Sequence, residues 1–465
     1  MSESKYESQR KALLAAPKNG YDRIDEATRK AVFEYAEDYK KYLDAAKTER
    51  EAVSETIRRA EAAGFRPWRR GEPLQAGDKI YSNNRSHGLF LAVIGKEDLS
   101  HGANITAAHV DNPRLDLKPN PLYEDSELAY FKTHYYGGIK KYQWPTVPLA
   151  LHGVVALKDG TVVDICIGEA EDDPVLVITD LLIHLAGDQM RKTLAEGIAG
   201  EQLNVLLGSV PLPEDEGSDR VKFAIMLMLN ERYGITEEDF LSAELTMVPA
   251  QKAKDVGLDR SLVGGYGHDD RVCAYVAMEP LLRLENPTKT AVCVLADKEE
   301  IGSVGVAGMQ SEAFENFMAA MCEAQGVNMY VCFENSACLS TDVCNAFDPT
   351  FPEVSDRRNN AKLNYGVGVF KYTGSRGKSG ASDAPAEFVA RIRNLFDSNN
   401  VLWQMGELGR VDQGGGGTVA GTLANRNIDT IDAGVPVLCM HAPFEVIAKL
   451  DLYMAARGNE VFYKA

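Results

Sequence analysis

From Gly264 onward the chain alternates short apolar runs with amphipathic stretches, and this alternation restricts the fold more than any other feature. "TAVCVLADKEE" is followed by "SEAFENFMAAMCEAQ", then by "NMYVCFEN"; later come "GVGVFKYT", "DAPAEFVARIRNLF", "VLWQMG", "VPVLCMHAP" and a final helical stretch through "EVIAKLDLYMAA". Read as strand, helix and strand in turn, the series predicts an α/β layer architecture, a central mixed sheet flanked by helices. The N-terminal part fits the same layer. Val32, Ala36, Tyr39, Leu43 and Ala46 recur at spacings of four and three, which predicts an amphipathic helix running to about Gly64. "HGLFLAVIG" and "ANITAAHVD" then read as strands.

Between them the texture changes. From about residue 120 to 251 Pro, Gly and aromatic residues punctuate short alternating segments, among them "GVVALKDGTVVDICIG", a hairpin around Asp159-Gly160. The expected division is therefore 1–119 with 252–465 as one α/β domain, and 120–251 as a β-rich insertion. A length of 465 residues suits such a two-domain chain.

Charge narrows the partners. A net charge of −18 and the lack of a basic stripe argue against nucleic acid, whose phosphates are neutralised by Lys and Arg. No stretch reaches the ~20 apolar residues of a membrane span, and "MSESKYESQRKALLAAPKNG" has no secretory pattern, so a cytoplasmic location is expected. The eight cysteines include no CxxC pair and read as reduced core thiols.

"AVCVLADKEEIGS", residues 291–303, raises a chemical question, because it begins as an apolar run and delivers Glu299 and Glu300 side by side. In an open α/β sheet ligands collect at the carboxyl ends of the strands. The acidic and imidazole residues at predicted strand ends are His109 and Asp111, Asp269 and Asp270, Glu299 and Glu300, Asp342, and His441. Imidazoles and carboxylates without thiolate suit zinc, manganese or cobalt at catalytic sites. In His-x-Asp, one ring nitrogen can face a metal while the aspartate holds the other. Such a set suffices for two ions sharing a carboxylate and a water, with one glutamate on metal and its neighbour holding the proton of that water.

Taken in order, "AAHVDNPRLDLKP", "HYYGG", "ITDLLIHLAGDQ", "GHDDRV", "DKEEIGSVG", "STDV", "GVGVFKYT", "DQGGGGTVAGTLA" and "MHAPFE" resemble the M18 metallopeptidases, the aspartyl aminopeptidase family. The resemblance implies a phosphorylase/peptidase-like α/β metallopeptidase domain carrying a β-rich dimerisation domain. It implies that His109, Asp269, Glu300, Asp342 and His441 bind two divalent ions, most simply zinc, with Asp269 bridging, Asp111 orienting His109 and Glu299 as general base. It further implies that His184 reaches a neighbouring subunit's active site, that Lys371 lies near an acidic substrate side chain, and that dimers assemble into a tetrahedral dodecamer. Pro145-Thr146-Val147 stands where the family usually has Asp-Arg, a departure that touches no ligand. The expected activity is removal of N-terminal residues, with Asp and Glu as the candidates the resemblance implies, from peptides with a free N-terminus. A deacylase or carboxypeptidase on the same centre is the alternative enzyme reading, and a noncatalytic scaffold the reading from another class.

Overall fold

The computed structural model describes residues 6–465. Nine strands form the central sheet, in the order Arg66–Pro67, Lys79–Asn84, Gly88–Val93, Thr290–Ala296, Ala103–His109, Ala337–Ser340, Asp429–Gly434, Val367–Phe370 and Trp403–Met405. The four at its centre, from Thr290–Ala296 to Asp429–Gly434, run parallel, so their carboxyl ends open on one side. The sheet is mixed, since Gly88–Val93 and Val367–Phe370 pair antiparallel to their inner neighbours.

The strand Thr290–Ala296 shows why its sequence is apolar throughout. Ala291, Cys293 and Leu295 enter one core with helices Glu26–Ala45, His268–Leu282 and Lys449–Tyr463. Val292, Val294 and Ala296 enter a second core on the opposite face with helix Ala313–Ala324. A strand covered on both faces needs apolar residues at every position.

A second sheet of seven strands is built from residues 114–249, and its inner face carries a core of its own around Phe131, Trp144 and Val205. It contains the expected hairpin, Leu149–Ala156 with Val162–Ile167. The division expected at residue 120 falls inside the strand Arg114–Asp125, which pairs with Leu128–Tyr136 from Arg114 onward. Pro119 and Pro121 read as a break, yet they occupy the register irregularity between Leu117 and Leu122, where a strand tolerates proline.

Four expected elements differ, the first being the final helix, which begins at Lys449 because Glu445–Ala448 is a strand. The long N-terminal helix is two, Glu26–Ala45 and Glu49–Ala62, separated where Thr48 and Glu51 form a capping box. Lys47 between them is buried and donates to the carbonyls of Pro249 and Gln251. "NMYVCFEN" is the helix Met329–Glu334 rather than a strand, started by Asn328, whose side chain accepts the Tyr330 N–H at 2.8 Å. "VPVLCMHAP" contributes only Pro436–Leu438, and this strand belongs to a third, five-stranded sheet with Lys254–Val256, Leu262–Gly265, Glu445–Ala448 and Cys344–Asn345. All eight cysteines are unpaired, six of them buried. Among the described residues no helix is long and apolar enough to cross a membrane.

Candidate metal centre

The carboxyl ends of the parallel strands and the third sheet meet at one point, and this junction gathers the acidic and imidazole residues. His109 is the last residue of Ala103–His109. Glu299 and Glu300 form the turn after Thr290–Ala296, and Asp342 follows Ala337–Ser340. Asp269 comes from the first turn of helix His268–Leu282, directly after the third sheet's Leu262–Gly265, and His441 from the turn after Pro436–Leu438. The peptide bond between Asp269 and Asp270 is cis.

Asp269 lies between the two imidazoles. Its Oδ1 is 3.2 Å from His109 Nε2 and its Oδ2 is 3.1 Å from His441 Nε2. His109 Nε2 is also 3.7 Å from Asp342 Oδ1, and His441 Nε2 is 3.4 Å from Glu300 Oε1. Two clusters of donor atoms result, Asp269 with Glu300 and His441, and His109 with Asp342 and Asp270, each within 4.8 Å.

The far nitrogens of both rings are held. His109 Nδ1 is 3.0 Å from the carbonyl oxygen of Asp111 and 3.3 Å from its Oδ1. His441 Nδ1 is 2.9 Å from the Gly138 carbonyl oxygen. A ring nitrogen donating to an oxygen leaves Nε2 as the lone-pair donor, as a metal ligand requires. The Asp111 carboxylate does more than orient a ring. It accepts the backbone N–H groups of Glu299 and Glu300, at 3.0 and 3.1 Å, and the Tyr136 hydroxyl at 2.8 Å.

The electrostatics fit divalent cations. Burial opposes charge on Asp269, but the two imidazoles hold its carboxyl well below the usual range. Burial would pull His441 down, yet Asp269 and Glu300 push it up to about 10, and His109 is likewise raised by the carboxylates around it. Glu299 is pushed up to about 8 by burial and by Asp342 and Asp269. Glu300 is raised by burial and Asp269, and its Oε1 is buried with no hydrogen-bond partner. Carboxylates outnumber the imidazoles, and cations relieve that excess. Glu299 differs from the rest, because its carboxylate enters no hydrogen bond or ion pair among the described residues while it lines the cavity.

That cavity has a volume of about 410 Å³, within the range of small-ligand sites. Residues 42–463 match the family model described as aminopeptidase I zinc metalloprotease (M18). The chain belongs to the M18 aminopeptidase family. It is 50% identical over 97% of its length to a probable M18 family aminopeptidase 1 from Clostridium acetobutylicum, covering 98% of that protein. The crystal structure of an M18-family aminopeptidase from Thermotoga maritima superposes with a TM-score of 0.92 at 41% identity, over 97% of this chain and all of that one. The yeast mApe1 dodecamer has the same fold, with a TM-score of 0.76 at 20% identity.

For an M18 aminopeptidase the two residues expected to meet substrate lie apart from the cavity lining. Lys371 follows Phe370 in sequence, but Phe370 lines the cavity and Lys371 does not. His184 is exposed in the turn Ile183–Leu185 of the 114–249 unit. Three further residues escaped the sequence reading. Glu445 is buried and accepts the backbone N–H groups of Asp269 at 3.0 Å and His441 at 2.7 Å, tying two site residues to one side chain. Asp432, pushed up to about 7 by burial, lines the cavity and accepts from Thr418 Oγ1 at 2.7 Å. Tyr136 comes from the second sheet and has the Arg114 guanidinium 4.0 Å above its ring. The acid four residues after His441 was the one signal available for Glu445.

Proposed function

We propose that this M18 aminopeptidase removes single N-terminal residues through a co-catalytic pair of divalent cations, most simply zinc, held by His109, Asp342, Asp269, Glu300 and His441. The observation that carries this reading is Asp269, with one carboxylate oxygen toward each imidazole at 3.1–3.2 Å. Held by these residues, a pair of divalent cations would supply Lewis-acid activation of a water and of the scissile carbonyl. Glu299, free of partners, accepts the proton of the attacking water and delivers it to the leaving amine. Burial and the carboxylates around it push Glu299 up to about 8, and positive charge among those carboxylates would return the group to a base at neutral pH. Asp111 holds the turn 299–300 and His109 in register, and Glu445 does the same for Asp269 and His441. The surplus of negative charge also attracts an α-ammonium group, which supports exopeptidase action on free N-termini rather than the deacylase reading.

The side-chain preference follows the lining. Val343, Phe370, Leu408 and Met440 face the cavity, and among the described residues no lysine or arginine does. An acidic preference rests on Lys371, carried from the resemblance. The lining of a single chain favours an uncharged N-terminal side chain, and Lys371 and a neighbour's His184 would extend the pocket in an assembly. Homo-oligomerisation, through the 120–251 unit and up to a dodecamer as in the yeast structure, is supported by the exposed Leu182, Ile183 and Leu185 around His184. The test is a panel of Leu, Ala, Lys, Asp and Glu aminoacyl substrates with N-acetylated controls. Turnover of free-amine substrates only, with Leu above Asp, is expected; turnover of blocked substrates would replace the aminopeptidase reading by the deacylase one.

A further inference from the structure

Far from the metal centre, at the outer edge of the central sheet, lies a cleft of about 700 Å³. It is bounded by the N-terminal segment 15–23, the loop 357–365 and the edge strand Trp403–Met405. That strand is four positions from Ala103–His109 in the sheet, roughly 19 Å at ordinary strand spacing, and the two cavities share no lining residue.

The charge of the cleft is opposite to that of the chain. Lys18, Arg23, Arg357, Arg358 and Lys362 line it, against the single carboxylate of Asp22. In a protein with 68 acidic and 50 basic residues, cations usually find acids, as Arg59 does with Asp38 and Glu55. None of these five forms an ion pair among the described residues. Arg357 lies over the ring of Phe347 and Lys362 over that of Tyr365, at 5.5 Å each. Asp356 is near enough for the Arg358 charge to help lower its carboxyl, but no carboxylate reaches ion-pair distance of any of the five, and cations gathered in this way are favourable neighbours only when an anion or solvent ions fill the space between them.

We propose that this cleft binds a small molecule carrying several phosphate groups. One carboxylate would neutralise one of the five cations, whereas a chain of phosphates meets several, and paired arginines match phosphate oxygens through bidentate contacts. The volume exceeds what a single phosphate fills and lies in the range of sites for nucleotide-sized ligands. Tyr365 and Trp403 offer flat apolar surface beside the cations. Two segments lead from the cleft to the catalytic cavity: Lys362 to Phe370, and Met405 to Leu408.

The test is titration of the metal-loaded protein with sodium tripolyphosphate, followed by tryptophan fluorescence. Trp68 and Trp144 are buried, which leaves the half-buried Trp403 as the reporter. The expected result is saturable binding, weakened by salt, tighter than that of orthophosphate, and reduced at least about tenfold in Arg357→Ala/Arg358→Ala. Lys18→Ala/Arg23→Ala should weaken it as well, and both double variants should retain peptidase activity. A signal that persists unchanged in both variants would come from the metal centre or from chelation and would overturn the proposal. So would the lack of saturation, or tighter binding of an Asp/Glu-rich peptide than of tripolyphosphate.

Discussion

Glu299 and Glu300 share one turn, and their backbone N–H groups share one acceptor in Asp111, yet their side chains meet different surroundings. Glu300 faces His441 and Asp269, whereas Glu299 faces open cavity. Glu299→Gln should therefore keep the metal content of the parent and lower kcat by about 10²–10⁴-fold, measured by elemental analysis beside steady-state kinetics. Near-normal turnover would remove Glu299 as the base. Glu300→Ala should instead lose metal. These two, with His109, Asp269, Asp342 and His441, were legible as candidates because imidazoles and carboxylates at strand ends have few structural reasons to gather. Glu445 and Asp432 were not, since one works on backbone N–H groups and the other on a threonine hydroxyl, partnerships with no fixed spacing in sequence.

At the scale of elements, close backbone approaches hold the junction. A Cβ on Gly434, the last residue of Asp429–Gly434, would stand 1.7 Å from the Asp342 carbonyl oxygen. Gly434→Ala must displace the turn that presents Asp342, and metal content and activity should fall together while the far-ultraviolet spectrum is kept. A second junction joins the two larger sheets. His87, beside Gly88–Val93, has Asp297 Oδ2 at 3.0 Å on one nitrogen and the second sheet's Glu244 at 3.2 Å on the other. Burial alone would lower its pKa, but these carboxylates raise it to about 9. A raised histidine contributes stability that is complete below about pH 6.5 and is lost as pH rises through 9, an effect of order 2–3 kcal/mol. The melting temperature should fall over that window, and His87→Gln should flatten the fall; identical profiles would contradict the assignment. Elements whose apolar pattern had one explanation, such as Thr290–Ala296, were readable from sequence. Met329–Glu334 was not, because its aromatic and β-branched residues suit a strand and the decisive signal is the single cap of Asn328.

At the scale of the molecule, the α/β order of the chain foretold the central sheet, because strand–helix alternation admits few other solutions. The third sheet was hidden, as its strands are two to four residues long and drawn from three distant stretches. The proposed assembly uses the exposed apolar turn 182–185, so Ile183→Asp/Leu185→Asp should shift the protein to smaller species in sedimentation velocity, while an unchanged distribution would place the interface elsewhere. The central claim concerns the bridged centre, and metal stoichiometry measured with activity tests it most directly. Two divalent ions per chain, Leu-substrate turnover abolished by chelator and restored by zinc, manganese or cobalt, and loss of both ions in Asp269→Ala are the predicted results. A single ion per chain at full activity, or turnover that survives complete removal of metal, would contradict the account.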